Sequence, residues 1–228
     1  MVGRVRPQRF GLNQNYVFPN KEQSFWQSAP LSILNRHILR NIYSFDGIDD
    51  FGSIPPITLE GDFEISLYAT ADADGNYMTL GYTGSIETWG FYNYSTGNRY
   101  FCRFLTSTGV LSLSSAIGTI KPVGEEVHHL VRKTGSLYEY FLNGELANSV
   151  TASLGDITVD LIGKRSPANL FWNGNIRDVY FNDLSNPSNS RLYKINEGGG
   201  DVMIDSLSSD GSTNGAYNNF NNEGWGRV

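Results

Sequence analysis

Aromatic side chains alternating with polar ones are the features of this 228-residue chain best suited to binding chemistry. The candidates are Trp89, Tyr92, Tyr94 and Tyr100. Such rings can stack on the C–H faces of sugars while their polar atoms form hydrogen bonds, and they equally suit protein interfaces. Strand alternation predicts Trp89 and Phe91 on one face and Tyr92 and Tyr94 on the other. We therefore expect Tyr92 and Tyr94 to be the exposed pair of a glycan-binding site.

The acidic residues do not suggest a glycan-cleaving enzyme. Such enzymes hold two carboxylates about 5 to 10 Å apart across a cleft. The nearest carboxylates in the sequence are the neighbours Asp49 and Asp50 and the neighbours Glu125 and Glu126, which would point to opposite faces of an extended strand. The sequence predicts no catalytic residue and no enzyme, and a hydrolase or lyase would need a pair brought together from distant strands.

Metal ligands are equally sparse. His128 and His129 are adjacent, so on a strand one should lie in the core and the other on the surface, which does not suit a shared zinc ion. Asp72 and Asp74 offer alternating oxygen ligands and form the only candidate Ca²⁺ site, although an ordinary Asp-Gly turn explains them as well. No other cofactor is predicted.

Charge divides the chain into two regions. Residues 1–43 hold six Lys or Arg against one acidic residue, whereas residues 44–228 hold eleven against twenty-two. This asymmetry predicts a basic arm that docks on an acidic surface of a sister subunit or a larger scaffold. The anchoring residues would be Arg4, Arg6, Arg9, Phe10, Tyr16, Phe18, Phe25 and Trp26. The arginines could also contact phosphates, but without an aromatic-basic platform they do not indicate a nucleic-acid partner.

Composition indicates an all-β protein. The chain has 25 glycines and only 18% charged residues, which favours short strands joined by tight turns. Cys102 is the only cysteine, so no intramolecular disulfide can form. Residues 1–7 carry charge without a following apolar run, and nowhere do about 18 apolar residues occur in succession, so we expect neither a signal peptide nor a membrane span. One short helix, over 31–39, is compatible with apolar spacing.

Local patterns place the strands and turns. In residues 62–69 the side chains of Phe63, Ile65 and Leu67 share one face and should point into the core. Asn143–Gly144 predicts a type I′ hairpin, and the spacing of apolar residues in 176–181 predicts a bulge or an irregular strand. Further strands are expected at 77–82, 88–94, 99–106 and 110–114.

Three segments in this order resemble the concanavalin A-like, laminin-G-like jelly-roll family. They are FDGIDDF at 45–51 followed by LEGDFEIS at 59–66, VHHLV at 127–131 leading to NGEL at 143–146, and WNGNIRDVYFN at 172–182. Val127 replaces an aromatic residue that is usual in the family. A tail, LYKINEGGGDVMIDS at 192–206, resembles an element that accompanies such jelly rolls in phage and bacterial surface proteins.

The resemblance implies a two-sheet antiparallel jelly-roll sandwich. The jelly roll would cover 44–228, with a C-terminal strand or cap from about 190 to 228, and residues 1–43 would form an extended arm. The opening turn would place Phe45 and Phe51 in the core and the aspartates in the turn.

The resulting functional prediction is a non-enzymatic virion protein of a tailed phage. It would be a head decoration or fibre, or a tail adhesin, located on the capsid or tail surface and attaching to surface glycans. Its partners would be further copies of itself, other virion proteins and a cell-surface glycan, with no membrane. The alternative is a carbohydrate-binding adhesion module of a bacterial surface or exported protein, located at the cell surface or outside the cell.

Overall fold

The computed structural model of this protein describes residues 41–72, 78–94, 97–116, 118, 122–166, 170–220 and 225–227. Strands dominate these residues, and none of them belongs to an α-helix. Within the described ranges, no helix has the length and apolar character needed to cross a bilayer. The predicted helix at 31–39 and the predicted anchoring residues of the arm lie outside the described residues.

Eighteen strands occur along the described chain. They are β1 (Asn41–Asp46), β2 (Phe51–Leu59), β3 (Phe63–Ala71), β4 (Leu80–Gly81), β5 (Gly90–Tyr94), β6 (Arg99–Thr106), β7 (Gly109–Ser114), β8 (Glu126–Thr134), β9 (Leu137–Leu142), β10 (Glu145–Thr151), β11 (Ile157–Ile162), β12 (Lys164–Arg165), β13 (Leu170–Phe171), β14 (Asn173–Asp183), β15 (Arg191–Tyr193), β16 (Val202–Met203), β17 (Gly215–Asn218) and β18 (Trp225–Arg227). A 3-10 turn, Pro187–Asn189, precedes β15.

Two eight-stranded antiparallel sheets contain nearly all of these strands. Sheet I has the order β10-β9-β8-β3-β14-β1-β18, with β15 paired to β14. Sheet II has the order β16-β17-β2-β11-β6-β5, with β4 paired to β11 and β7 paired to β6. The predicted all-β antiparallel sandwich is therefore confirmed, and the C-terminal tail contributes strands to both sheets.

The core lies between the inner faces of the two sheets. In β3 the alternation predicted from sequence is observed, because Phe63, Ile65 and Leu67 are fully buried while the intervening residues are partly exposed. Tyr138 and Tyr140 of β9 are likewise buried and face the same interior. Side chains with a period of two on both sheets therefore exclude water from a single core.

The Asn143–Gly144 turn joins β9 to β10 as predicted. Both residues have positive φ, 50° and 83°, which is the backbone of a type I′ turn. Leu142 pairs with Glu145 across it. The turn also reaches the neighbouring strand, because Asn143 Oδ1 accepts a hydrogen bond from the backbone N–H of His128 at 2.9 Å.

The predicted irregularity of the closing strand is a bulge in β14. Its pairing with β3 shifts register between Arg177 and Tyr180, and Asp178 adopts a φ of 51°. This extra residue lets Ile176, Val179 and Phe181 all face the core although their spacing breaks strict alternation.

The opening turn confirms one core prediction and corrects another. Asp46 Oδ1 accepts the backbone N–H groups of Ile48 and Asp49 at 2.8 and 3.2 Å, an arrangement typical of an Asx turn. Phe45 is fully buried. Phe51, expected in the core, is only half-buried, because alternate residues of β2 face inward and its ring lies outside under the Lys164 ammonium, 4.0 Å from the ring centre.

Two other predicted strands are shorter than expected. Of the 77–82 segment, only Leu80–Gly81 forms a strand among the described residues, and Met78 forms an isolated bridge with Tyr92. The 88–94 strand begins at Gly90. Gly90 has a φ of 64°, which interrupts extended geometry and separates Trp89 from the strand that follows.

Candidate functional site

An outward-facing cluster of aromatic and arginine side chains lies on the β5–β6 hairpin of sheet II. We call it the aromatic–arginine surface, and its members are Trp89, Tyr92, Tyr94, Arg99, Phe101, Arg103 and Arg165. Strand pairing sets its layout, because Tyr92 lies opposite Phe101 and Tyr94 lies opposite Arg99. The intervening residues, Phe91 and Cys102 among them, point into the core.

Gly90 brings Trp89 into this surface. Its φ of 64° turns the backbone between Trp89 and Phe91, so the two side chains do not share a face as strict alternation predicted. The Trp89 ring contacts the edge of Tyr92 at 4.8 Å between centroids, and its Nε1 donates to the carbonyl of Ile86 at 2.6 Å. A Cβ at position 90 would lie 2.5 Å from the Leu80 Cβ, so glycine is required there sterically as well.

The aromatic rings differ in how far they reach solvent. Tyr92 is predicted to be exposed but is only 6% exposed, because it stacks on Phe101 at 4.9 Å and contacts Trp89. That part of the prediction is wrong, and Tyr92 forms the floor of the surface. Tyr94 packs edge-on against Phe101 at 5.7 Å and is 36% exposed, so it forms a rim. A Cβ on Gly97 would clash with the Tyr94 ring, which therefore rests directly on that glycine backbone.

Three arginine guanidinium groups lie against two of the rings. Arg103 and Arg165 lie 4.8 and 4.5 Å from the centre of Trp89, and Arg99 lies 4.9 Å from the centre of Phe101. These are cation–π distances, and each ring holds its guanidinium in a defined position.

The three arginines differ in their polar partners. Arg103 forms an ion pair with Glu87, with Nε 3.0 Å from Oε2, and Arg165 Nε donates to the carbonyl of Ile86 at 2.9 Å. Over the described ranges, neither Arg99 nor Arg165 forms an ion pair with a carboxylate. The buried Nε of Arg99 has no hydrogen-bond acceptor among the described residues.

The tyrosine at the floor stays neutral at ordinary pH. Burial raises the pKa of Tyr92 to about 12, although the nearby charges of Arg103 and Arg99 oppose this shift. The surface offers aromatic faces, tyrosine hydroxyl groups and cationic N–H donors. This is the chemistry needed to stack on a sugar ring and to bind oxygen atoms around it.

The outer face of sheet I carries a second aromatic row that sequence analysis did not single out. Tyr68 of β3 lies between Arg177 of β14, 3.9 Å from its ring centre, and His128 of β8, 4.5 Å away. Burial, followed by the charge of Arg177, lowers the pKa of His128. Arg177 is held by Glu126 with Nε 2.8 Å from Oε2 and also contacts Asp178. The row could have been found only from strand register, which places these residues opposite one another.

A polar groove of about 680 Å³ lies elsewhere, at the ends of β2 and β14. Its lining includes Thr58, Glu60, Asp183 and Asn189 and contains no aromatic side chain. The buried Asp183 carboxylate is already occupied, since it accepts hydrogen bonds from the Asn186 N–H at 2.7 Å and from Asn189 Nδ2 at 3.0 Å. Because its most buried acid serves a local turn, this groove is a weaker candidate for binding sugars than the aromatic–arginine surface.

Asp72 and Asp74 are the predicted calcium ligands, and a second group of carboxylates lies in the opening turn. Asp72 accepts the Ser44 hydroxyl at 2.8 Å, and Asp74 lies outside the described residues. The side-chain oxygens of Asp46, Asp49 and Asp50 lie within 4.8 Å of one another. Asp46 accepts backbone N–H groups of its own turn, and the buried Asp50 accepts the Tyr43 hydroxyl at 2.8 Å. Calcium binding stays a prediction.

Three of the four aromatic candidates predicted from sequence come together. Trp89, Tyr92 and Tyr94 share the aromatic–arginine surface, which also contains Phe101. Tyr100 does not belong to it, because that residue faces inward, is 4% exposed and packs edge-on against His129 at 5.1 Å. The histidine neighbours separate as predicted, with His129 in the core and His128 on the outer face.

The fold of this chain is similar to that of solved structures, although its sequence has no match. No family model and no curated protein sequence matches this chain. Among solved structures, a putative carbohydrate binding protein from Bacteroides ovatus ATCC 8483 is similar, with a TM-score of 0.57 and 13% identity. The similarity covers 83% of this chain and 59% of that protein, so this chain spans somewhat more than half of its length.

More distant similarity is found to two animal proteins. Mouse laminin alpha1 domains LG4-5 give a TM-score of 0.44 at 11% identity, covering 68% of this chain and 43% of theirs. A heptameric SAP-like pentraxin from Limulus polyphemus gives 0.43 at 14% identity, covering 63% and 76%. The described domain has the concanavalin A-like, laminin-G-like jelly-roll fold that the sequence resemblance implied.

Proposed function

We propose that this protein is a non-catalytic carbohydrate-binding module that mediates adhesion to surface glycans through its aromatic–arginine surface. The observation that carries the proposal is the assembly of Trp89, Tyr92, Tyr94 and Phe101 on the outer face of one sheet. Large aromatic residues on the outer face of a sandwich do not contribute to its core, and such patches commonly mark binding sites.

The geometry suits sugars because it combines stacking with hydrogen bonding. The exposed Tyr94 ring and the Trp89 ring flank the better buried Tyr92 and Phe101 pair. Pyranose rings are apolar on their C–H faces and polar around their edge, so they match aromatic rings bordered by N–H and O–H donors. The Tyr92 hydroxyl is a potential donor, because a tyrosine is protonated at neutral pH even without the upward shift of its pKa that burial causes.

Cleavage chemistry receives no support from this surface. Hydrolysis of a glycosidic bond uses two carboxyl groups. In the described part of the chain, the carboxylate in contact with this surface is Glu87, which is already paired with Arg103. The surface is equipped to hold a glycan rather than to break one.

A carbohydrate-binding adhesion module of a bacterium is better supported than a phage virion protein. The Bacteroides ovatus protein of similar fold is named for carbohydrate binding, and a glycan-binding adhesin would act outside the cell or at its surface. The comparisons do not support a phage role. The virion reading is a second candidate because of the charge contrast between residues 1–43 and the remainder of the chain.

A glycan array probed with the full chain tests the proposal. We expect binding to a subset of glycans, reduced about tenfold or more by Tyr94→Ala, which removes stacking area, and by Trp89→Ala, which removes the ring that positions Arg103 and Arg165. Tyr68→Ala is the matched control, since it removes a half-buried aromatic side chain from the outer face of the other sheet. Urea unfolding of each variant verifies that it is folded. A blank array with folded protein would rule out the carbohydrate-binding function and favour a protein partner.

A further inference from the structure

We propose that the aromatic–arginine surface selects anionic glycans, and that Arg99 and Arg165 pair with their carboxylate or sulfate groups. This inference rests on the proposed carbohydrate-binding function and specifies the class of glycan. Such binding needs a local excess of positive charge, arginines that are not already paired with carboxylates, and contacts that hold those arginines in place.

Positive charge is concentrated here on an otherwise acidic region. Residues 44–228 contain eleven Lys or Arg and twenty-two Asp or Glu. Three of those eleven lie on the aromatic–arginine surface, with only Glu87 as a contacting carboxylate among the described residues. An anionic polymer is repelled by the region as a whole, so its binding needs a local basic site of this kind.

The arginines here also differ from those elsewhere in the described domain. Arg132 pairs with Glu64 at 2.8 Å, Arg177 with Glu126 at 2.6 Å, and Arg191 lies 3.7 Å from Asp205. Arg99 and Arg165 have no such carboxylate partner within the described ranges. A ligand can therefore bind them without first breaking a protein ion pair.

Arg99 is a partly exposed arginine without a carboxylate partner among the described residues. Its Nε is buried, so an anion would bind the terminal N–H groups of its guanidinium. Pairing a cationic donor with an anion gives one of the stronger hydrogen bonds in proteins. Stacking on Phe101 holds this guanidinium opposite Tyr94 in the strand register, so one sugar unit could contact the ring and the cation together.

Arg165 and Arg103 extend the site over Trp89. Both guanidinium groups lie within 5 Å of the same indole ring centre. Arg165 Nε and Trp89 Nε1 both donate to the Ile86 carbonyl, which fixes the side chains relative to one another. The remaining N–H groups of Arg165 form no ion pair with a described carboxylate. Carboxylates and sulfates accept such donors in the same way, so the structure predicts the shared chemistry rather than one of the two groups.

Polysaccharides matched in backbone but differing in charge test this inference. The full chain is titrated with polygalacturonate, with highly methyl-esterified pectin, with dextran sulfate and with dextran. We expect binding to polygalacturonate, to dextran sulfate or to both, at least about tenfold tighter than to the neutral counterpart. Affinity should fall as NaCl rises from about 50 to about 200 mM, because the pairs are partly exposed. Which anionic polymer binds distinguishes carboxylate from sulfate recognition.

Charge-removing variants test the residues. Arg99→Gln and Arg165→Gln should each weaken binding of the anionic polymer about tenfold, whereas Arg132→Gln, on the other sheet, should change it less than about twofold. Arg165→Lys should retain part of the affinity because it keeps the charge. Urea midpoints show that each variant is folded, and Arg165→Gln remains informative if Arg99→Gln does not fold.

The outcomes separate this inference from the proposed function. Neutral glycans bound as well as charged ones, with Tyr94→Ala impaired and the arginine variants unaffected, would overturn the charge selection and leave carbohydrate binding intact. Anionic polymers weakened equally by Arg99→Gln and Arg132→Gln would show non-specific attraction and also overturn it. If no glycan of either kind bound to the folded chain, the carbohydrate-binding function itself would fail.

Discussion

His129 is the most strongly perturbed histidine in the described domain. It lies in the core, where its Nδ1 is 2.8 Å from the Tyr140 hydroxyl and its ring stacks on Phe91 at 5.2 Å. Burial, together with the neighbouring charge of His128, lowers the pKa of His129 to about 3. The ring is therefore neutral in the folded protein wherever the fold is stable.

This burial predicts acid sensitivity. In the unfolded chain His129 takes up a proton below about pH 6.5, whereas in the folded state it does not. The stability that depends on a neutral His129 is thus complete above that pH and is lost as the pH falls toward 3. We expect the free energy of unfolding to drop by about 2 kcal/mol between pH 7.5 and pH 5 from this residue, measured by urea denaturation.

Two variants assign the effect to His129. His129→Phe combined with Tyr140→Phe removes the titrating ring and its hydroxyl partner together, and should flatten the pH dependence between 7.5 and 5. His128→Gln, one residue away on the outer face, should retain most of it. A double variant as acid-sensitive as the parent protein would show that His129 does not control the response.

Alternation alone predicted some of the residue positions, but it was interrupted at one glycine and was not applied to Tyr100. The two histidines separate to opposite faces because β8 is regular. Trp89 joins Tyr92 rather than Phe91 because Gly90 adopts positive φ, which no periodicity reveals. Tyr100 faces the core because β6 is regular and Cys102 and Phe104 share its inner face, so its inward position could have been predicted.

At the element scale, the β9–β10 hairpin shows what a dipeptide can determine. Asn143 adopts a φ of 50°, which asparagine tolerates better than most residues, and its Oδ1 binds the His128 N–H of β8. The side chain thus stabilises both its own turn and the adjacent strand. Sequence predicted the turn, whereas the link to β8 depends on strand order and could not be predicted locally.

Substitutions at Asn143 should separate these two contributions. Asn143→Gly keeps the backbone geometry and loses the hydrogen bond, so it should cost about 1 kcal/mol. Asn143→Ala also imposes positive φ on a residue that disfavours it and should cost about 2 kcal/mol. The measurement is the urea midpoint at constant m-value. Equal effects of the two substitutions would show that backbone strain plays no part.

The bulge in β14 illustrates a partial prediction at the same scale. Apolar spacing indicated an irregular strand, because Ile176, Val179 and Phe181 cannot share one face of a regular one. The structure places the extra residue at Asp178, whose φ is 51°. The row of Arg177, Tyr68 and His128 that crosses β14, β3 and β8 depends on this register and was therefore missed.

At the scale of the whole molecule, the distribution of charge suggests different roles for the jelly roll and for the N-terminal residues. The jelly roll presents a basic aromatic surface on an acidic region, and residues 1–43 hold six Lys or Arg and several aromatic residues. The fold could be predicted because three different segments that resemble jelly-roll motifs occur in the expected order along the chain. The assembly of the binding surface could not be predicted, because Arg165 lies 64 positions after Phe101 in the sequence.

The basic arm leads to a prediction about assembly. If residues 1–43 anchor the protein to the acidic region of another copy, the full chain should form a homo-oligomer that dissociates as salt is raised, because the attraction between exposed charges is screened. Arg4→Glu combined with Arg6→Glu should shift the protein toward the monomer in light scattering after size exclusion. Lys133→Glu combined with Lys194→Glu makes the same change of net charge within the jelly roll and should not shift the protein toward the monomer, because it leaves the basic arm intact and makes the docking region more acidic. A full chain that is monomeric at low salt, with the residues before β1 readily digested by protease, would be incompatible with anchoring to a second copy.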